Sequence, residues 1–102
     1  MQPFLVLKRW VQGAADGDWH EVEGMLRPDE IADSHAGIHN GTVVTLRQNS
    51  SFLLTVSVDE YKRVLNAYYK ITAGYKHGFV YWDGDKATLL NGVKTTKYYE
   101  GN

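Results

Sequence analysis

Two β-rich runs, TVVTLR (42–47) and FLLTVS (52–57), flank the polar stretch QNSS and lead without a break into a capped helical pattern. The alternation of β-branched and apolar residues around a polar turn predicts a hairpin. Ser57 with Glu60 three residues on forms a capping box, and Val58, Tyr61, Val64, Leu65 and Tyr68 recur at helical spacing until Ala73-Gly74. A strand that passes directly into an amphipathic helix of this length predicts a sheet with the helix laid on one face. On a helical projection Lys62, Arg63, Asn66 and Lys70 share the side away from the apolar stripe, with Tyr69 at its edge.

The remaining segments read mainly as β. Phe4 to Val11 is a first strand ending at Gly13, before the turn-rich GAADGD. Trp19 to Leu26 admits two readings: a helix capped by Asp18 with Glu21, or a strand with His20, Val22 and Leu26 on one face, broken at Gly24. So short a turn favours the strand, returning as a hairpin. Arg27-Pro28-Asp29-Glu30 reads as one helical turn or a plain turn, then a strand closing on Asn40-Gly41, a strong two-residue hairpin signal. After the helix, FVYW reads as a buried strand, DGDK as a turn, and ATLL, Asn91-Gly92 and VKTTKYY as further short strands and a turn, with the last residues fraying. The expected architecture is α+β: a small, mostly antiparallel sheet of hairpins packed by one main helix at about 58–71, in a single domain spanning 1–102.

Length and composition are consistent with that. A chain of 102 residues, 43% hydrophobic and 23% charged, can close one core and lacks the signature of disorder. No apolar run approaches the roughly 20 residues that cross a bilayer, so no membrane is expected. With no cysteine there is no disulfide, thiolate nucleophile or cysteine-held zinc; a reducing interior suits such a chain, and the expected location is cytoplasmic. Residues 1–50 carry four basic against seven acidic side chains and the rest seven against five, with no block long enough for a charged interaction tail.

Few residues are arranged for chemistry. Asp33, His35 and His39 suggest a metal or acid/base site, but Gly37 and Asn40-Gly41 argue against a helix, and on a strand the two histidines stand roughly 13 Å apart. His20 and His77 have no evident local partner. The triplets Asp16-Gly17-Asp18 and Asp83-Gly84-Asp85 lack the continuation a calcium loop requires and read as turns. No nucleophile elbow, phosphate loop or dinucleotide fingerprint occurs, so neither a catalytic residue nor a metal ligand nor a cofactor is assigned. A small enzyme with a histidine/carboxylate site is the third reading.

Aromatic and basic residues interleave from Tyr61 to Lys76 and again through Tyr81, Trp82, Lys97, Tyr98 and Tyr99. Cations that track phosphates beside stacking rings suit nucleic acid, the second reading, although Tyr61 and Tyr68 belong to the apolar stripe and the pI near 6.4 gives no general basic footprint. Seven tyrosines and three tryptophans exceed what so small a core readily encloses, and such rings anchor protein interfaces. The first reading is a non-catalytic accessory or assembly protein of bacterial or phage type that binds a protein partner or itself. The expected binding surface is Lys62, Arg63, Tyr69 and Lys70 with Tyr81 and Trp82 of the C-terminal hairpin.

Residues 27–65, with Ile31, Val43, Thr45, Leu46, Phe52, Val56, Ser57, Glu60 and Val64 in the pattern, resemble small bacterial flagellar FlbD-type proteins. The turn glycine of that family is absent at Asn49-Ser50, and residues 75–102 have no counterpart. The resemblance implies an interaction protein without catalytic activity and assigns no functional residue.

Overall fold

Among the described residues, eight strands and one α-helix follow one another as β1 (Phe4–Gln12), β2 (Trp19–Leu26), β3 (Ile31–Ala36), β4 (Thr42–Leu46), β5 (Ser51–Leu54), α1 (Val58–Ile71), β6 (Phe79–Trp82), β7 (Lys86–Leu90) and β8 (Thr95–Glu100). This computed structural model describes residues 2–91 with their side chains and the backbone of 95–100. Gly92 of the expected Asn91-Gly92 turn, the side chains of Lys97, Tyr98 and Tyr99, and the last two residues lie outside the described residues.

All eight strands form one sheet in the order β3-β4-β5-β1-β6-β7-β8, with β2 added to β1. Strand β1 organises it. One edge pairs with β2 from Leu5 opposite Leu26 to Gln12 opposite Trp19. The other edge is shared: β6 runs parallel to Phe4–Val6, and β5 runs antiparallel to Arg9 and Trp10. The β1–β6 pair is the one parallel ladder among the described strands, because α1 carries the chain from β5 back across the sheet before β6 begins.

The capping box sets the start of α1: Ser57 is extended and its side chain accepts from the backbone N–H of Glu60 at 3.2 Å. Its apolar stripe of Tyr61, Val64, Ala67, Tyr68 and Ile71 is buried against Leu5, Leu7, Leu26, Val44, Leu54, Val80, Ala87 and Leu89. The hydroxyls caught in this layer are satisfied. The Tyr61 hydroxyl pairs with Ser34 at 2.8 Å, Thr42 donates to the Val56 carbonyl at 2.9 Å, and the Tyr68 hydroxyl donates to the Pro3 carbonyl.

Three local expectations are corrected. Gly24 does not break β2; it sits in register opposite Leu7. In the β3–β4 turn the left-handed residues are His39 (φ 56°) and Asn40 (φ 54°), closed by Gly41 N–H to the Ile38 carbonyl at 2.9 Å, so the turn is centred one residue earlier than Asn40-Gly41. Glycine at 41 answers a different demand, since a Cβ there would lie 2.4 Å from the Leu54 carbonyl oxygen. And FVYW is not buried throughout: Val80 is buried and Trp82 half-buried on the helix side, while Phe79 and Tyr81 are exposed on the other.

Candidate functional site

Side chains alternate across a strand, so register assigns each residue to the face under α1 or to the open one. On the open face, β1 presents Phe4, Val6, Lys8 and Trp10. Tyr81 and Met25 stand opposite Val6 on either side, and Phe79 stands opposite Phe4. The Phe4 and Phe79 rings stack at 5.7 Å, and the Arg27 guanidinium lies over the Phe4 ring at 4.0 Å. Val6 is buried, yet Met25 is 57% exposed, Tyr81 40% and Phe79 38%. No helix shields Val6: its neighbours do, and they remain open to solvent.

A second aromatic group lies further along the same face. The ring of His39, held out by its left-handed backbone, sits 5.5 Å from Trp10 and 5.2 Å from Trp19. Between the two groups runs a charged band in which Lys8 approaches Glu21 at 3.7 Å and stands opposite Glu23. Two buried donors have no acceptor among the described residues: Nε1 of Trp10 on this face and Nε of Arg9 on the other.

The expected binding residues divide between opposite sides of the molecule. Lys62, Arg63, Tyr69 and Lys70 are exposed on the outer side of α1. Trp82 joins them from the sheet, its indole N–H donating to Glu60 at 2.8 Å with Arg63 over its ring at 5.6 Å. Tyr81 points the other way, onto the open face. Burial and the negative charge of Asp29 push the Tyr69 phenol above its ordinary value, and burial, opposed by the Ser34 hydrogen bond, does the same for Tyr61.

The titratable pairs are shallow. His20 lies 3.3 Å from Asp16 across the β1–β2 turn, a contact the sequence reading missed because the turn folds back on itself, and His35 lies 3.8 Å from Asp33; all four side chains are at least half exposed. No three His, Asp or Glu side chains among the described residues converge as metal ligands would. A cavity of about 260 Å³ opens on the helix-side face beyond α1, lined by Leu7, Arg9, Gly24, Leu26, Phe52 and Leu54, with the Arg9 guanidinium 5.0 Å from the Phe52 ring. No described helix of the chain is long and apolar enough to cross a membrane.

Sequence reasoning missed Phe4, Met25, Phe79, Trp10 and Trp19 as a set. Alternation along β2 puts Met25 on the face opposite His20, Val22 and Leu26, but nothing local reveals that β6 pairs with β1 and brings Tyr81 to the other flank of Val6. No family model, curated protein or solved structure matches this chain.

Proposed function

We propose that this chain is a non-catalytic protein-binding domain that docks a partner protein on the open face of its sheet. The observation that carries this reading is the row Met25–Val6–Tyr81, in which a buried valine is flanked by two large, exposed side chains and no element of the described chain lies above them. Exposed Met, Phe, Tyr and Trp around a charged band have the composition of an interface, with rings and thioether as anchors and Lys8, Glu21 and Glu23 as polar contacts. Catalysis lacks comparable support, because the histidine–carboxylate pairs His20–Asp16 and His35–Asp33 lie at the surface, at least half exposed to water.

The test compares two double variants in a native lysate and in solution. Met25→Ser with Tyr81→Ser removes the two flanking anchors, whereas Lys62→Glu with Lys70→Glu alters the outer side of α1. Partner capture that is lost with the first pair and kept with the second supports the reading. Capture that follows the helix pair instead, or a monomer by light scattering from which no partner is ever recovered, overturns it.

A further inference from the structure

The longest strand at an edge of the sheet is β2, which pairs with β1 on one side and with no described strand on the other. An unpaired strand of eight residues presents a row of backbone N–H and C=O groups that a further strand can take up. Natural edges are commonly blunted by proline, bulges or lysine. Strand β2 has no proline or lysine, and its register with β1 runs without a shift. Its open-face row reads Trp19, Glu21, Glu23, Met25: an apolar residue at each end and two carboxylates between. Lys8 is the one cation opposite this row among the described residues, and it stands on the β1 side, leaving the outer side of both glutamates unopposed.

We infer that β2 accepts an added strand from the partner, an extended segment carrying basic residues at alternate positions to face Glu21 and Glu23; this deepens the docking function proposed above and rests on it. Charge argues against a second copy of the chain as occupant. An antiparallel β2–β2 pairing centred on Val22 would set Glu21 of each copy against Glu23 of the other, and like charges directly opposite are destabilising.

The other face of β2 adds a requirement. Its row is His20, Val22, Gly24 and Leu26, and Gly24 contributes only backbone to the wall of the 260 Å³ cavity. The Arg9 side chain lies over Gly24, its Cδ 3.3 Å from where a Cβ would stand, and forms the cavity wall beside it. An apolar partner residue opposite Gly24 therefore meets no side chain of β2 and can pack against the aliphatic stem of Arg9 at the edge of the cavity. In an antiparallel addition the occupant then reads apolar-basic-any-basic, with the apolar residue opposite Gly24 and the basic ones opposite Glu23 and Glu21.

The probe is an end-blocked peptide of alternating Thr and Val with Leu-Lys-Val-Lys at its centre, and its counterpart with glutamates for lysines, titrated while the backbone amides are followed by NMR. The lysine peptide shifts and protects amides of Trp19–Leu26. The Glu21→Lys, Glu23→Lys double variant binds it about tenfold or more weakly, as two attractive cross-strand pairs become repulsive, and gains affinity for the glutamate peptide. That charge-swapped gain requires a folded domain, so a variant that merely unfolds cannot produce it. Gly24→Val, whose added Cβ would touch the flexible Arg9 side chain at 3.3 Å, weakens the peptide with central Leu more than one with Ala there. Shifts confined to the β3 or β8 edge, or binding indifferent to the double charge reversal, overturn the inference. Capture that depends on Met25 and Tyr81 while neither peptide binds β2 leaves the docking face standing and removes only the added strand.

Discussion

One sheet supplies two faces built from alternate residues of the same strands, and they are finished differently. Under α1, Leu5, Val80 and Leu89 are fully buried and the tyrosine hydroxyls of the helix have partners. On the opposite side Val6 reaches comparable burial only because Met25 and Tyr81 lean beside it, and the Trp10 indole N–H stays unpaired. The first arrangement satisfies the hydroxyls of Tyr61 and Tyr68 and excludes water, as stability demands. The second leaves apolar area open to solvent, as a surface awaiting a partner does. The two faces should therefore respond in opposite ways to substitution.

The largest expected effect lies under the helix. Tyr68 is fully buried and ties α1 to the N-terminal segment through the Pro3 carbonyl. Tyr68→Ala should lower stability by about 3–5 kcal/mol, as large-to-small changes of buried aromatic residues do, measured as a loss of denaturation midpoint. An unchanged midpoint would mean that the helix does not close this face.

Tyr68→Phe separates packing from chemistry. Losing the hydroxyl should cost about 1 kcal/mol at neutral pH, since the Pro3 carbonyl loses its donor. Burial first, then the charges of Tyr69 and Asp29, raises the Tyr68 phenol well above its ordinary value of 10, with Arg27 opposing them. The unfolded chain then gives up this proton near pH 10 while the folded chain keeps it, so the folded state binds more protons and stability falls as pH rises past about 10. Wild-type protein should lose stability steeply there, and Tyr68→Phe should lose less; parallel pH profiles would show that another group governs alkaline unfolding. Ser57→Ala, which removes the N-cap bond to Glu60, should cost about 1 kcal/mol without altering the open face.

Much of the covered face is legible in the sequence because its signals are local. The bounds of α1 follow from Ser57, Glu60 and the spacing of Tyr61, Val64 and Tyr68; the GAADGD turn announces the β1–β2 hairpin; and Asn49, at φ 69°, fills the left-handed position of the β4–β5 turn where glycine is the usual choice. The open face is not legible, for two physical reasons. In a run such as FVYW all four residues are apolar, so a period of two carries no information about which side is buried. Which strands meet on either side of Val6 depends on the parallel return of β6 to β1, a pairing about 75 residues apart in sequence that no turn chemistry encodes. The same gap hides from the sequence that Tyr81 and Trp82, neighbours in the chain, lie on opposite sides, with only Trp82 near the helix that carries Lys62 and Lys70.

The smallest expected change in stability carries the most information about function. Met25 and Tyr81 each retain about half their exposure in the folded chain, so their removal gives up far less burial than a core truncation does. Met25→Ser with Tyr81→Ser should shift stability by about 1 kcal/mol or less, chiefly through the partial uncovering of Val6, while abolishing partner capture. A loss comparable to that of Tyr68→Ala would show that the two side chains belong to a second core rather than to a docking face. Equal capture by the variant and the parent would instead leave the row stable, exposed and without a use. The contrast between the faces thus reduces to one pair of measurements, stability and binding, which should move together under α1 and separate on the side that α1 leaves open.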